Sequence, residues 1–241
     1  MKLLVLAAGY ATRLYPLTLD RPKALLPVGG RPMLDHVLAA LDGVGLEGIY
    51  VVTNAKFAPH FREWAEGRDD VTVVDDGTTS DDDKLGAIGD IGFVLEQARL
   101  DDDLVVVAGD NLFSANLAEF GDFCREKNAP VLAVYDVGDL SQMPKYNAIE
   151  TDDEGRITFF EEKPAQPTST LTGIALYFYP RHALPLIRRY LEEGNNPDQP
   201  GRLVQWLYPR VDVFTWRVPG EWIDIGSEET LREADARFSQ N

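Results

Sequence analysis

The sequence predicts an α/β fold: a doubly wound, mostly parallel sheet over the first 135 residues, followed by a small β-rich part. Three observations carry this. From Lys2 onward a short apolar run, a glycine-bearing loop and an amphipathic stretch recur in that order. The apolar runs are near-continuous, as in strands covered on both faces, and do not alternate. After Tyr135 the texture changes to alternating segments joined by an acidic turn.

The elements follow in order. Buried strands are predicted at Leu3 to Ala7, Ile49 to Thr53, Val71 to Val74, Leu104 to Val107 and Val131 to Tyr135. Helices between them start near Pro32, Pro59, Ile88 and Ala115. Pro32 is expected at a first helical position, where a missing N–H costs nothing, with Met33, Val37 and Leu41 at roughly helical spacing facing the sheet. Ala148 to Thr151 and Arg156 to Phe160 flank the turn Asp152-Asp153-Glu154-Gly155 and read as a hairpin. Leu176 to Tyr179 reads as a strand, His182 to Leu191 as a helix, Val211 to Trp216 as a strand and Gly226 to Phe238 as a closing helix. Glu193 to Gly201, with two prolines and two asparagines, reads as a long exposed loop. Residues 1–241 are expected to form one domain with two halves, 1–135 and 136–241.

Composition excludes several function classes. The chain has 241 residues, 44% hydrophobic and 26% charged, enough to bury one sizeable core. Lys and Arg number 23 against 40 Asp and Glu, a formal charge of −17 that repels nucleic-acid phosphates and anionic lipid surfaces. Neither nucleic acid nor membrane is an expected partner. One cysteine and three histidines provide neither an internal disulfide nor a His/Cys zinc cage. The apolar run Leu3 to Ala8 is too short for a signal-peptide core, and nothing approaches the ~20 apolar residues of a membrane span, so a cytoplasmic location is expected. Cys124, beside Phe120 and Phe123, reads as a core thiol, and no nucleophilic triad or Walker A loop is present. Asp81 to Asp83 and Asp101 to Asp103 read as solvated loop faces.

Chemistry concentrates at strand ends. The first strand leads into Ala7-Ala8-Gly9-Tyr10-Ala11-Thr12-Arg13, and in an open parallel sheet ligands bind at loops leaving the carboxyl ends of strands. Small residues there let backbone amides approach a phosphate. Between Ala11 and Arg31 stand Arg13, Arg21, Lys23 and Arg31 against Asp20 alone, a basic island in an acidic chain. That pattern fits an anionic ligand; ordinary surface charge is the competing reading. Asp110, in Ala108-Gly109-Asp110-Asn111, and Asp224, in Trp222-Ile223-Asp224-Ile225-Gly226, are spaced for a magnesium ion that takes one or two carboxylates plus phosphate and water. Either aspartate alone reads more readily as a cap or turn residue than as a metal ligand; it is the two together, on a sheet with a basic phosphate loop, that suggest magnesium. In Glu161-Glu162-Lys163-Pro164, Glu162 and Lys163 project from a strand end, as a ligand-binding pair or as a solvated turn.

Leu6-Ala7-Ala8-Gly9-Tyr10-Ala11-Thr12-Arg13-Leu14-Tyr15-Pro16-Leu17-Thr18 and Arg21-Pro22-Lys23-Ala24-Leu25-Leu26-Pro27-Val28 resemble the signature of the sugar nucleotidyltransferases. The match is specific because its Arg, Pro-Leu-Thr, Pro-Lys and Leu-Pro-Val elements occur in order. Ala108-Gly109-Asp110-Asn111, Glu161-Glu162-Lys163-Pro164, Tyr177-Phe178-Tyr179 and Trp222-Ile223-Asp224-Ile225-Gly226 look like the remaining motifs, especially those of glucose-1-phosphate thymidylyltransferases, so the resemblance covers nearly the whole chain. It implies a Rossmann-like nucleotidyltransferase fold that joins a nucleoside triphosphate to a sugar 1-phosphate, of the glucose 1-phosphate type, with Mg2+ as cofactor. It further implies Arg13, Lys23, Asp110 and Asp224 as catalytic, the two aspartates also holding the metal. Leu6, Ala7, Ala8, Gly9, Asp76 and Gly86 would contact the nucleotide in the first half, and Tyr146, Glu162, Lys163 and Gly173 the sugar phosphate, mostly in the second.

Three departures are visible. Ala11 stands where the family loop has glycine, Asn147 where the thymidylyltransferase type has glycine after tyrosine, and Asp75-Asp76 near its base-reading glutamine. An ionised Asp76 only accepts hydrogen bonds, so it favours cytosine or guanine; alternatively Asp75 and Asp76 merely begin an acidic loop. The chain ends soon after Asp224, so no left-handed β-helix acyltransferase domain is expected. Homo-oligomerisation is left open. Two other readings remain: a cytidylyltransferase acting on phosphocholine or inositol phosphate, and a non-catalytic nucleotide-sugar-binding regulator.

Overall fold

The apolar runs become strands. In the computed structural model, which describes residues 1–239, the chain begins with β1 (Lys2–Leu6), β2 (Pro27–Val28), β3 (Arg31–Pro32), α1 (Met33–Ala40), β4 (Ile49–Thr53), α2 (Ala58–Trp64) and β5 (Val71–Asp75). It continues through α3 (Ala87–Gln97), β6 (Leu104–Ala108), β7 (Asn111–Phe113), α4 (Ala118–Lys127) and β8 (Val131–Asp136). The remainder comprises β9 (Asn147–Thr151), β10 (Ile157–Glu162), β11 (Leu171–Tyr179), α5 (Leu184–Glu192), α6 (Pro200–Leu207), β12 (Phe214–Arg217), β13 (Trp222–Asp224) and α7 (Glu228–Phe238). Seven strands form a mixed, mostly parallel sheet in the order β12-β8-β11-β6-β1-β4-β5, doubly wound as expected, but with β11 and β12 from beyond residue 135 joining it instead of lying in a separate β-rich part.

Two compact units are distinguished, each assembled from separated stretches of chain. The first comprises Met1–Leu85, Val107–Ala118 and the residues from Pro219 onward. In it β1, β4 and β5 pair in parallel with matched register, Leu6 beside Val52 and Thr53 beside Asp75. Matched ends bring the loops leaving all three strands to one edge. Leu3, Leu4, Val5, Val51 and Val52 are buried, and Met33, Leu34 and Val37 of α1 are buried as the helical spacing requires.

The second unit comprises Gly86–Val106 and Glu119–Val218. Its β8 pairs antiparallel with β11 and parallel with β12, while β9 and β10 form the predicted hairpin. Val94, Leu95, Ile187, Leu203 and Val204 are buried, and Tyr190 meets Trp206 edge-on at 5.7 Å.

Several boundaries differ from expectation. Pro32 is extended, with ψ 139°, and pairs with Pro27 across the hairpin turn at Gly29 and Gly30, so α1 begins one residue later. The helix expected near Ala115 starts at Ala118, because the Asn116 side chain accepts the Ala118 N–H at 2.8 Å and caps it there. The loop ending at Gly201 is shorter than expected. Pro200 occupies the first turn of α6, so it opens a helix instead of continuing a loop. Short β7 and β13, paired antiparallel, carry too few residues to show a period in the sequence.

Candidate active site

The loop leaving β1 is held from several sides. Ala7 donates its N–H to the Val52 carbonyl, and the Asn54 amide donates to the Ala8 carbonyl at 2.8 Å while accepting the Phe57 N–H. Ala11 sits in the left-handed region, φ 48° and ψ 43°, which costs a non-glycine residue about 1–2 kcal/mol and explains why glycine suits this position. Thr18 donates its hydroxyl to the Ala11 carbonyl at 2.8 Å, which fixes that conformation. The loop then makes a single short helical turn, Thr12 to Leu14, that leaves Arg13 exposed while Leu14 is buried.

Leu6, Ala7, Gly9, Lys23, Gly109 and Asp110 all line one cleft of about 170 Å³. Gly109 is required by close approach: a Cβ there would stand 3.0 Å from Ala24 and 3.2 Å from Val5. Lys23 donates to Asp110 Oδ2 at 2.5 Å, and the other Asp110 oxygen accepts the Asn111 amide at 3.0 Å. The Trp222 indole donates to Asn111 Oδ1 at 2.6 Å, and register pairs Asp224 with Asn111. Asp224 thus lies across the β7–β13 pair from the residue after Asp110. Burial, and then the Asp110 charge, raise the Asp224 carboxyl above the ordinary range, while Lys23 and Arg13 oppose the rise. Of the four predicted catalytic groups, Lys23 and Asp110 pair directly, and both, together with Arg13, act electrostatically on Asp224.

This donor set suits a hard cation. Two mutually repelling carboxylates are relieved by one, and among the described residues no third His, Cys, Asp or Glu joins a ligand cluster. A magnesium ion held there would take its remaining positions from phosphate oxygens and water.

The loop leaving β5 is preorganised. Asp76 is buried; its Oδ1 accepts the Thr78 N–H and hydroxyl, each at 2.7 Å, whereas Oδ2 is buried with no partner. Ala55 donates its N–H to the Thr78 carbonyl, tying the β4 and β5 loops together. Tyr10, buried against Phe57, has its hydroxyl raised by burial, with Asp83, Asp76 and Asp81 adding to the rise. Asp83 accepts the N–H groups of Thr79 and Ser80, which hold its carboxyl down at about 2. Far from being idle, this acidic face caps its own loop.

In the second unit, of the predicted substrate residues Glu162 ends β10 and Gly173 lies on β11, while Tyr146 directly precedes β9 and Lys163 directly follows β10. Asn147, opposite Glu162 in the hairpin, accepts the Gly173 N–H at 2.6 Å and donates to the Gly173 carbonyl at 3.1 Å. Both backbone groups of Gly173 are thereby taken, and a Cβ on Gly173 would stand 2.5 Å from Leu132. Tyr146 accepts the Lys163 N–H through its carbonyl at 2.8 Å, and Lys163 adopts φ 52°. Glu162 is raised by burial, which Lys163 and Arg202 oppose. Gly86 caps α3 with φ 80°, and the 197–198 carbonyls accept the N–H groups of Ala87 and Ile88. Those two amides are thus already spent. Cys124 is fully buried, and burial pushes its thiol pKa upward, which leaves it unreactive.

Sequence reasoning missed Asn54, Thr78, Asn111, Asn147 and the indole of Trp222 as organising groups. For Asn54 a signal existed: it follows β4 at the same carboxyl edge that singled out the loop after β1.

A family model described as nucleotidyl transferase matches residues 2–241. The chain is 29% identical over 243 residues to a UTP–glucose-1-phosphate uridylyltransferase of Haloferax volcanii, covering 100% of this chain and 97% of that protein. It is 32% identical over 235 residues to a mannose-1-phosphate guanylyltransferase of Mycobacterium tuberculosis, covering 95% of this chain but 64% of that longer relative. The solved structure of a UDP-glucose pyrophosphorylase complexed with UDP-glucose superposes with a TM-score of 0.82 at 21% identity, over 99% of this chain and 98% of that one.

Proposed function

The chain belongs to the nucleotidyl transferase family, in its sugar-1-phosphate branch, and from that premise we propose how its residues divide the reaction. A nucleoside triphosphate and a sugar 1-phosphate, most simply glucose 1-phosphate, give a nucleotide sugar and pyrophosphate. A sugar-phosphate oxygen forms the new bond to the α-phosphorus while the bond to pyrophosphate breaks in line, so no covalent enzyme intermediate is needed. Catalysis is then positioning and charge stabilisation.

Residues 1–135 bind the nucleotide and residues 136–241 the sugar phosphate, with Asp224 as the returning exception. The small-residue loop Leu6 to Gly9 accommodates the phosphates, aided by Gly86. Arg13 neutralises charge on the departing pyrophosphate. Lys23, already held by Asp110, faces charge growing near the α-phosphate. Asp110 and Asp224 would hold Mg2+, which when bound neutralises phosphate charge during the displacement. Glu162 accepts from sugar hydroxyls, Lys163 pairs with the sugar phosphate, and Tyr146 and Gly173 frame the sugar. The unpartnered Asp76 Oδ2 supports a base that offers donors, cytosine or guanine.

One observation carries this reading: Lys23 and Asp110 are paired in the cleft that Leu6, Ala7 and Gly9 also line. Pyrophosphate release from four triphosphates crossed with hexose 1-phosphates, phosphocholine and inositol phosphate tests it. Release with a hexose 1-phosphate is expected. Release only with phosphocholine or inositol phosphate, or with no pair, would overturn the assigned acceptor or the activity.

A further inference from the structure

Helix α6 begins over the face of β10 that carries Phe160 and Glu162. These two residues are two apart on a strand and so share a face. Phe160 is buried there, and Glu162, at the end of the strand, is turned the same way, its Oε2 buried with no partner. Above them lies the first turn of α6, where Pro200 is followed by Gly201. Glycine disfavours a helix relative to alanine, so a buried glycine in a first turn calls for a packing reason. The reason is present. A Cβ built on Gly201 would collide with Glu162 Oε2 and would stand 3.2 Å from both Glu162 Cδ and Phe160 Cζ.

We propose that Gly201 is a positioning residue for the sugar-phosphate substrate: its missing side chain is the seat that sets the Glu162 carboxylate. Two constraints converge on Glu162. Its backbone is paired with Asn147, whose carboxamide is in turn locked onto Gly173. With the backbone so fixed, the carboxylate cannot be relocated by a shift of strand and must lie where α6 leaves room. The N-terminal end of α6 also favours a carboxylate beside it. The placement raises the Glu162 carboxyl through burial, with Arg202 on the same helix turn opposing the rise. The inference rests on the assignment of Glu162 to sugar hydroxyls.

A double-mutant cycle of Gly201→Ala and Glu162→Ala tests it, read as KM for glucose 1-phosphate, KM for the triphosphate, kcat and Tm. Gly201→Ala should raise the KM for glucose 1-phosphate about tenfold, the scale of one displaced charge-assisted hydrogen bond, with the triphosphate KM unchanged. In the Glu162→Ala background the same substitution should change neither KM, because no carboxylate is left to displace. Tm provides the independent arm. Gly201→Ala should lower Tm clearly in the wild type and much less, or not at all, in Glu162→Ala, where only the Phe160 contact and helix propensity remain. Equal effects in both backgrounds, on KM and on Tm, would overturn the seat. If Glu162→Ala leaves the sugar-phosphate KM unchanged, the assignment of Glu162 fails, while the Tm cycle still decides the role of Gly201. If Gly201→Ala does not fold, a folded double variant supports the proposal and an unfolded one overturns it.

Discussion

The edge of the first unit where β1, β4, β5 and the Asp110 segment end, and the β9 to β11 region of the second unit, handle polar groups in opposite ways. At the first, charge is gathered: Lys23 pairs with Asp110, the charges of Asp110, Lys23 and Arg13 act on Asp224, and Asp76 retains an unpartnered oxygen. In the second, backbone polarity is consumed internally, Asn147 spending its carboxamide on Gly173, while the Glu162 carboxylate, whose Oε2 also lacks a partner, lies where Gly201 makes room. On the proposed division, phosphates would be met by charge held ready in strand-end loops, and the sugar by shape set by register and by which side chains are absent.

The largest expected effect lies in the first region. Asp110→Asn and Asp224→Asn keep the side-chain shape but remove charge, and each should lower kcat by ~100-fold or more, the several kcal/mol associated with metal-assisted charge stabilisation, with Tm little changed. Excess chelator should abolish activity, and added magnesium restore it. Full activity in chelator would contradict the idea that this region holds a metal.

Base choice sharpens the comparison. Wild type should use CTP or GTP at least as well as dTTP or UTP, by ~1–3 kcal/mol in kcat/KM if a single good base contact is made. Asp76→Gln should shift the preference toward dTTP and UTP, since an amide both donates and accepts. A preference unmoved by the substitution would return Asp76 to a purely structural place in its loop.

The smallest effect concerns Asp83. Its carboxyl is held at about 2 against an ordinary 3.8, so its caps on Thr79 and Ser80 persist as pH falls past 3.8 and are lost on passing about 2. An NMR titration of the Thr79 and Ser80 amides should show a midpoint near 2. A midpoint near 3.8 would show that the caps do not form.

How much the sequence revealed follows the same divide. Ile49 to Thr53 was legible to the residue because a doubly covered strand must be apolar throughout. Gly9 and Asp110 were legible because each follows such a run within a few residues, Gly9 after β1 and Asp110 after β6. Asn147, Gly173 and Gly201 gain their roles only through pairings and close approaches that no local pattern encodes. The opening of α6 was missed for a related reason, since prolines mark both loops and first helical turns.

The central claim is that the first region stabilises charge developing on a leaving pyrophosphate, and Arg13→Ala tests it most directly. Single-turnover pyrophosphate release and the triphosphate Kd should be measured on the same variant. The account predicts a loss in rate of about 2.7–4 kcal/mol, roughly 100- to 1000-fold, with Kd changed far less, because the charge grows only as the bond breaks. A near wild-type rate, or a weakening of Kd that matches the whole loss, would contradict it.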